Sequence, residues 1–399
     1  MKINRHYLTL PENYLFSEVA KRTREFQIKH PDMSIIKLSI GDVSRPLPKV
    51  VVQAMKQACR EMGVTKTFRG YGPEVGYPWL RKVIANFYQK QYQVQLDPDE
   101  VIISDGAKSD LSNLLDIFDN QATVAMCDPV YPVYLDTNLM LGRIPQFFRA
   151  TAANNFLPLP NEQITADIIY LCNPANPTGV CYNRQQLKQW VDFAREHHAV
   201  ILYDAAYACV LHDADLPKSI YEIEGARTCA VEICSFSKMA GFTGVRCGYT
   251  IVPKTLCTMD GVSLNQLWRR RQATKFNGVS YIVQRGAEAV FTSEGIAAVQ
   301  QNLAYYRRNV QLIRQTLDRL QWTYVGGEHS PYVWVRCPGA RSSWECFDFL
   351  LKETGIVCTP GSGFGTAGEH YFRLTGFNTY ANTRQACQRL LSLQHKKTH

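Results

Sequence analysis

The sequence predicts an α/β fold, in which a mostly parallel sheet covered by helices is joined to a smaller α+β domain. Two observations support this. Through the middle of the chain, apolar runs of strand length alternate with amphipathic stretches. Continuous apolar strands separated by helices are typical of parallel sheets that are buried on both faces. After about residue 286 the alternation stops, and a long polar helix, further strands such as YVWVRC and a closing helix are predicted.

The predicted strands of the sheet are short apolar runs that mostly end at a polar residue. They are EVIISD ending at Asp105, TVAMCD at Asp128, DIIYLC at Cys172, AVILYD at Asp204, CAVEICS at Ser235, and CGYTIV. Helix-like segments such as NRQQLKQWVDFAREH lie between them. In open α/β sheets, ligands bind beyond the carboxyl ends of the strands. The polar clusters that follow these strands therefore predict a binding site at one rim of the sheet.

We expect three regions along the chain. Residues 1–45 would form an N-terminal arm and part of the small domain, through an amphipathic helix and the strand IIKLSIG. Residues 46–285 would form the large cofactor-binding domain. Residues 286–399 would form the small C-terminal domain.

The composition indicates a globular protein of the cytoplasm. Of the 399 residues, 46% are hydrophobic and 20% are charged, and no apolar run approaches the ~20 residues that span a bilayer. The start of the chain lacks the apolar stretch of a secretory signal. The 13 cysteines form no CxxC pair, which predicts free, buried thiols in a reducing compartment. The nine histidines show no metal-ligand spacing, so no metal site is expected.

The net charge of +9 has two interpretations. The densest cationic cluster, WRRRQATK at residues 268–275, is either a solvated helix face or the source of a field that attracts anionic substrates. No basic and aromatic nucleic-acid motif accompanies it. We therefore expect neither nucleic acid nor a membrane as a partner.

The segment SFSKMAGFTGVRCGY, residues 235–249, contains a single lysine, Lys238, and a single arginine, Arg246. It could be a strand, a glycine-rich loop and a second strand with two solvated cations. Alternatively, burial lowers the pKa of Lys238 and makes it a nucleophilic amine. The planar fork of Arg246 would then bind a phosphate, with Ser235 and Ser237 as further donors.

Two further segments could contribute to the same site. In DGAK, the backbone amides of Gly106 and Ala107 would open a helix and bind an anion, although many helices begin in this way. Asp204 is either a helix N-cap or, in an enzyme that uses pyridoxal 5′-phosphate (PLP), the carboxylate that pairs with the pyridinium nitrogen. Tyr207, three residues later, could bond the ring hydroxyl of the cofactor.

The remaining candidates also have a structural and a functional interpretation. NPANPTG, residues 173–179, is a turn that could direct Asn176 at the same ring hydroxyl. Tyr131 in DPVYPVY could stack on the ring. Arg373 in YFRLTGF is either a strand-edge ion-pair partner or the bidentate ligand of the substrate α-carboxylate.

The order Asp204-Ala-Ala-Tyr207, Ser-x-Ser-Lys238 and Gly-x-Arg246-x-Gly-Tyr resembles the fold-type I PLP-dependent aminotransferases. Longer blocks, from about Tyr14 to the final helix, resemble the LL-diaminopimelate aminotransferase family. They are YLFSEVAKR, LSIGDVSRPLP, FRGYGPEVGY, SDGAKSD, DPVYPVY, NPTG, SFSKMAGFTGVRCGYT, TKFNGVSY, YVWV and TPGSGFG. One departure is Ala175, where that family commonly has asparagine.

The resemblance implies PLP as cofactor and a homodimer with shared sites, and it assigns roles to individual residues. Lys238 would be the catalytic lysine, bound to the cofactor and moving the proton. Residues implied to bind the cofactor are Tyr71 from the neighbouring subunit, Ala107, Lys108, Tyr131, Asn176, Asp204, Tyr207, Ser235, Ser237, Lys238, Arg246 and Asn277. Residues implied to bind substrate are Tyr14, Gly41, Lys108, Tyr131, Asn176, Asn277 and Arg373, with Glu74 from the partner subunit.

The implied reaction is amino transfer between the L-glutamate/2-oxoglutarate pair and the L-tetrahydrodipicolinate/LL-2,6-diaminopimelate pair, which serves lysine and peptidoglycan precursor synthesis. Two alternatives remain open at this point. One is another aminotransferase of the same fold, acting on aspartate, aromatic or other amino acids, or a PLP-dependent lyase. The other is a regulator with an aminotransferase-like body, although the chain has no segment long enough for an added DNA-binding domain.

Overall fold

The computed structural model describes residues 1–10 and 14–395 of the chain. Its helices are α1 Leu15–Lys29, α2 Lys49–Met62, α3 Pro78–Tyr92, α4 Ala107–Asn113, α5 Pro132–Met140, α6 Arg184–Glu196, α7 Phe236–Ala240, α8 Leu264–Lys275, α9 Tyr281–Val290, α10 Ser293–Arg319, α11 Ser343–Thr354 and α12 Tyr380–His395. Its strands are β1 Ile36–Lys37, β2 Val101–Ser104, β3 Val124–Asp128, β4 Gln146–Arg149, β5 Ile168–Cys172, β6 Val200–Asp204, β7 Ala230–Ser235, β8 Gly248–Ile251, β9 Tyr324–Gly326, β10 Tyr332–Arg336, β11 Ile356–Val357, β12 Thr359–Pro360 and β13 Tyr371–Thr375. Within the described ranges, no helix is long and apolar enough to cross a membrane.

A seven-stranded sheet has the strand order β2-β8-β7-β6-β5-β3-β4. The strands from β7 to β4 in that order are parallel, whereas β8 is antiparallel to both of its neighbours. The predicted mostly parallel sheet is therefore confirmed. The edge strand β4 was not predicted, because only Phe148 of its four residues is buried and it lacks a continuous apolar run.

The central strands are buried on both faces, as their continuous apolar sequences indicate. All five residues of β6 are buried. Ile201 belongs to the core on one face, together with Trp190 of α6, whereas Leu202 belongs to the core on the other face, together with Trp268 of α8. Each fully buried side chain of this size contributes about 1.5–3 kcal/mol relative to exposure. The sheet therefore provides a firm support for the polar residues at its carboxyl ends.

The helix predicted over NRQQLKQWVDFAREH is confirmed as α6. The side chain of Asn183 caps its first turn by accepting the backbone N–H of Gln186 at 2.9 Å. Leu187, Trp190 and Ala194 are buried at three- and four-residue spacing. Such spacing places one apolar face against the sheet.

The cationic segment 268–275 belongs to α8, and three of its four cations are paired with acidic side chains. Arg271 and Lys275 each lie 2.9 Å from the carboxylate of Asp116. Arg269 lies 3.4 Å from Asp99. These pairs favour a structural role for the cluster over a field that attracts substrates. Partly exposed pairs of this type contribute only about 0–1 kcal/mol each.

The C-terminal part contains a four-stranded antiparallel sheet in the order β12-β13-β10-β9. The predicted long helix is α10, and α11 and α12 pack with it around a separate core. N-terminal strand β1 pairs in parallel with β11 of this part. The boundaries after residues 45 and 285 stay predictions, and α9 runs through the second of them.

The predicted strand IIKLSIG is shorter than expected. Only Ile36 and Lys37 are paired as a strand, because their partner β11 has two residues. The N–H of Leu38 still bonds the carbonyl of Val357 at 2.8 Å. The chain then leaves the ladder and carries Gly41 to the carboxyl-end rim of the large sheet, where its carbonyl contacts Lys238.

Candidate active site

The polar segments expected at one rim do lie at the carboxyl ends of β2, β3, β5, β6 and β7. β2 runs in the same direction as β7, because both are antiparallel to β8. The segments are 105–108, Asp128, 173–179, 204–207 and 235–238. The topology thus brings together side chains that are far apart in the sequence.

Lys238 lies on α7, a short helix that begins directly after β7. Its Nζ donates a hydrogen bond to the carbonyl oxygen of Gly41 and lies 5.6 Å from the centre of the Phe377 ring. Burial lowers the pKa of Lys238 to about 8, although the carboxylate of Asp42 acts in the opposite direction. The interpretation of this lysine as a solvated cation between two strands is therefore wrong.

Arg246 is held over the first turn of α4. Its backbone has φ of 64°, and its Nη1 donates to the Ser237 hydroxyl at 3.2 Å. A Cβ at Gly106, which precedes Ala107 at the start of α4, would overlap the guanidinium group. The Ser235 hydroxyl accepts the backbone N–H of Ser237 at 3.1 Å. The structure thus brings together a guanidinium, two hydroxyls and the start of a helix, a donor set that suits a phosphate.

Three other predicted residues form a row beside this cluster. Lys108 is exposed, and its Nζ lies 5.3 Å from the centre of the Tyr14 ring. The Tyr14 hydroxyl is hydrogen-bonded to Tyr131, the residue that precedes α5. Burial raises the pKa of both tyrosines, so both hydroxyls remain protonated at neutral pH.

Asp204 ends β6 and is buried, which raises its pKa. The Tyr134 hydroxyl donates to its Oδ2, and the backbone N–H of Ala206 donates to Oδ1 at 3.0 Å. Both hydrogen-bond partners are neutral and leave the charge of the ionised carboxylate uncompensated. A cation placed beside it would therefore be attracted by the whole of that negative charge. The helix N-cap interpretation is wrong, because the next helical turn begins after Tyr207. Tyr134 was missed from the sequence. Its signal was the spacing of three residues from Tyr131, which places neighbouring side chains on one helix side.

Arg373 is fully buried on β13, between β10 and β12. Its Nη1 donates to the Asn176 side-chain oxygen at 2.5 Å, and its Nη2 donates to the Ser39 carbonyl at 2.8 Å. Its Nε has no partner among the described residues. The rings of Tyr332 and Phe364 lie 4.1 and 4.9 Å from the guanidinium carbon. The strand-edge ion-pair interpretation is therefore wrong, since the strand is internal and both hydrogen-bond partners are neutral.

Tyr332 is a second residue that the sequence analysis missed. Its hydroxyl lies 2.7 Å from that of Tyr207, and both side chains are buried. A Cβ at Gly41 would overlap the Tyr332 hydroxyl, so only glycine fits at position 41 without rearrangement. Tyr332 lies in the apolar run YVWV, which gives no local sign that one of its residues faces a site.

Tyr71, Glu74 and Asn277 lie at the protein surface. The side chain of Tyr71 is 93% exposed. Gly278 adopts φ of 81° and packs against the Pro73 carbonyl, which places Asn277 beside the 71–74 loop. Among the described residues, no contact joins Tyr71 or Glu74 to Lys238. One chain by itself thus does not bring these two predicted residues into the site.

The assembled groups have complementary chemical uses. Lys238 supplies an amine that is partly neutral near pH 8. The cluster around Arg246 suits a phosphate, and the Asp204 carboxylate suits a protonated ring nitrogen. Arg373 presents an unpaired Nε that suits a carboxylate. The same groups are those that an amino-group transfer through a bound aldehyde cofactor requires.

Residues 33–390 match the family model for aminotransferase class I and II. The chain belongs to this aminotransferase family. The fold-type I architecture and the enzyme class expected from the sequence are thereby confirmed.

This aminotransferase is similar over nearly its whole length to proteins of one narrower group. The LL-diaminopimelate aminotransferase of Methanosphaera stadtmanae is 49% identical over 411 positions, covering 99% of each chain. That of Lachnospira eligens is 48% identical over 405 positions, covering 98% of this chain and 100% of its own. The solved L,L-diaminopimelate aminotransferase from Chlamydomonas reinhardtii is 39% identical with a TM-score of 0.94, covering 98% of each chain. The resemblance noted from the sequence blocks is confirmed.

Proposed function

We propose that this aminotransferase uses PLP to exchange an amino group between L-glutamate/2-oxoglutarate and L-tetrahydrodipicolinate/LL-2,6-diaminopimelate. The observation that carries the proposal is the 49% identity, over 99% of both chains, to a relative named LL-diaminopimelate aminotransferase. Such a reaction supplies precursors of lysine and peptidoglycan. The free cysteines suit a reducing compartment such as the cytoplasm.

The donor set of the site fits PLP. Arg246, with Ser235, Ser237 and the amides at Ala107 and Lys108, would bind its phosphate, and Asp204 would pair with its pyridinium nitrogen. The carboxylate has two neutral partners, so the pyridinium would supply the missing positive charge. At ~4 Å and an effective dielectric of ~20, that attraction is on the order of 4 kcal/mol before desolvation costs. When bound, PLP supplies an electron sink that stabilises negative charge at the substrate Cα.

Asn176, Tyr207 and Tyr131 would hold the plane of the ring. The Asn176 side-chain oxygen accepts from Arg373, so its amide nitrogen would donate to the ring oxygen. Tyr207, bonded to Tyr332, would donate to the same oxygen. Tyr131 would stack on the ring from the start of α5.

Lys238 would act as the base and acid of the transfer. Its amine would take the proton from the substrate Cα and deliver it to the C4′ carbon of the cofactor, a shift that needs one positioned base. The pKa of about 8 leaves a usable fraction of neutral amine at neutral pH. The Gly41 carbonyl accepts its hydrogen bond and fixes its direction.

Arg373 would bind the α-carboxylate that the substrates of both half-reactions share. Its two anchored nitrogens and flanking rings hold the guanidinium plane in place. An arginine that is fixed before the ligand arrives loses little conformational entropy on binding.

The distal end of diaminopimelate carries a further ammonium and a further carboxylate. We assign Glu74 of the neighbouring subunit to the ammonium, and Lys108 with backbone at Gly41 to the carboxylate. Tyr14 and Asn277 would complete this end. The exposure of Tyr71 and Glu74 in one chain supports a homodimer in which these residues, with Tyr71 at the cofactor phosphate, reach the other subunit's site.

A panel of amino donors with 2-oxoglutarate as acceptor, followed by product identification, tests the substrate. We expect kcat/KM for LL-diaminopimelate to exceed that for the meso isomer and for aspartate strongly, because a site built to pair polar groups can reject analogues that lack them by ~10⁴-fold. The meso isomer directs its distal ammonium elsewhere, and aspartate leaves the distal groups unmatched. Comparable kcat/KM for aspartate and LL-diaminopimelate would indicate a general aminotransferase instead.

A further inference from the structure

Asp128 ends β3, at the same rim as the site, and its buried carboxylate contacts a loop of the C-terminal part. Its Oδ2 accepts the Thr366 hydroxyl at 2.8 Å. The backbone N–H of Ala367 lies 3.2 and 3.3 Å from its two oxygens. Gly365 has φ of 131°, and a Cβ there would overlap Oδ1. The loop backbone therefore packs directly against this carboxylate and leaves no room for a side chain at position 365.

That loop, residues 361–368, also carries Phe364, whose ring lies 4.9 Å from the guanidinium carbon of Arg373. The Phe364 carbonyl accepts the N–H of Val130 at 2.7 Å, so the residue after Pro129 holds the loop as well. Phe364 is buried and packs edge-on against Trp334. A shift of the loop would thus move the Phe364 ring that packs against the guanidinium of Arg373.

The same loop contacts the start of α1. A Cβ at Gly363 would overlap the Leu15 side chain, and the Phe16 ring lies 6.3 Å from that of Phe364. Leu15 directly follows Tyr14, which is assigned to the substrate above. The loop therefore links the end of β3 to both the arginine and the first turn of α1.

We propose that Asp128 is a positioning residue, which fastens the 361–368 loop and thereby holds Phe364 and Arg373 in the geometry that binds the substrate α-carboxylate. The inference rests on the proposed function, since it takes Arg373 as the carboxylate ligand. Asp128 does not touch the substrate. It acts through Thr366, Ala367 and Phe364.

We call the attachment of the 361–368 loop to the Asp128 carboxylate the latch, and two variants test it. Asp128→Asn keeps the shape but replaces one acceptor oxygen by a donor that faces the Thr366 hydroxyl and the Ala367 N–H. Thr366→Val removes one donor and leaves the carboxylate. Asp167→Asn is the matched control. Asp167 also accepts from a threonine hydroxyl and a backbone N–H, those of Thr123, at 2.7 Å each. It directly precedes β5, however, and therefore lies at the amino ends of the parallel strands, away from the site.

The measurements are KM and kcat for glutamate and 2-oxoglutarate, the dissociation constant of succinate as an unreactive dicarboxylate, and the affinity for PLP. For Asp128→Asn we expect KM and the succinate constant to rise about tenfold, which is about 1.4 kcal/mol. We expect kcat to stay within about threefold and PLP affinity within about twofold, with unchanged cofactor absorbance. Thr366→Val should give a smaller rise in the same direction, and Asp167→Asn should give none.

Unchanged succinate binding in a folded, PLP-bound Asp128→Asn protein would overturn the latch, and so would an equal rise in Asp167→Asn. A parallel loss of PLP affinity would also overturn it, because Asp128 would then act on the cofactor side. If Asp128→Asn does not fold, Thr366→Val decides by the same criterion. Failure of the native enzyme to use diaminopimelate, with turnover of another amino acid, would contradict the proposed substrate, whereas the succinate titration would still test the latch.

Discussion

Arg373 donates a hydrogen bond of 2.5 Å to the side-chain oxygen of Asn176, across 197 positions of the sequence. Arg373 lies on the C-terminal sheet, whereas Asn176 follows a strand of the seven-stranded sheet. We assign one to the substrate carboxylate and the other to the cofactor ring. A single hydrogen bond thus couples the place of the substrate to the place of the cofactor, and movement of either side chain would disturb both.

Lys238→Ala should abolish turnover, because we assign to its neutral amine both the attachment of the cofactor and the transfer of the proton. Reduction of the native enzyme with borohydride, followed by mass spectrometry, should place the pyridoxyl group on Lys238. Lys254→Ala is a suitable control, since Lys254 is an exposed lysine that pairs with Asp97 at 2.5 Å. Labelling of any other lysine would contradict the assignment.

Capture of PLP by the cofactor-free protein should depend on pH through Lys238. Burial lowers the pKa of its ammonium from 10.5 to about 8, and only the neutral amine attacks the aldehyde. The capture rate should therefore rise with pH and level off just above pH 8, rather than continue to rise towards pH 10.5. Stopped-flow absorbance measures this rate.

Asp42→Asn tests whether a neighbouring carboxylate contributes to the pH dependence of PLP capture. The Asp42 carboxylate raises the Lys238 pKa, so its removal should move the midpoint of the profile to lower pH. A native midpoint above pH 10, or one that does not move in Asp42→Asn, would argue that burial and this carboxylate do not control the amine.

Asp204→Asn should retain the cofactor and lose most of the activity. The amide preserves the shape of the side chain, but without the negative charge the ring nitrogen would lose its proton and the electron sink would weaken. Tyr134→Phe serves as a comparison, because it removes the hydrogen bond to Oδ2 and keeps the charge. Activity of Asp204→Asn within about threefold of native, roughly 0.6 kcal/mol, would show that the charge is dispensable.

Mixing two impaired variants tests whether sites are shared between subunits. Tyr71→Phe and Lys238→Ala homodimers should each be impaired. A heterodimer of the two would contain one site in which both native residues meet, so activity should recover after subunit exchange. The exchange itself can be verified with differently tagged chains. Absence of recovery in verified heterodimers would place Tyr71 in the site of its own chain.

Glu74→Ala should reduce turnover of LL-diaminopimelate far more than turnover of glutamate. The distal ammonium of diaminopimelate would lose its carboxylate partner, and an unpaired desolvated charge is costly, whereas glutamate has no distal ammonium. Measurement of kcat/KM for each amino donor separates the two. An equal loss for both donors would indicate that Glu74 supports the dimer or the loop rather than specificity.

Much of the site could be predicted because its residues directly follow buried strands. The run ending at Asp204 is apolar without interruption, and the run ending at Ser235 is interrupted only by Glu232. The need to bury both faces of such strands predicts the parallel sheet. Parallel strands end at one rim, so the order along the chain already places Asp204, Lys238 and Arg246 near one another. Strand β4 was missed because an edge strand needs no such apolar run.

What only the tertiary structure decided is which side chains from distant segments meet. Tyr332 lies opposite Tyr207 across 125 positions, and Asp128 bonds Thr366 across 238. Hydrophobic periodicity records whether a face is buried, but it does not record the partner, because any apolar or aromatic neighbour satisfies the same pattern. The sequence by itself therefore determined the sheet, its rim and the candidate lysine. Packing of the C-terminal sheet against that rim decided the burial of Arg373, its hydrogen bonds and the aromatic rings beside it, because these contacts come from segments that are distant in the sequence.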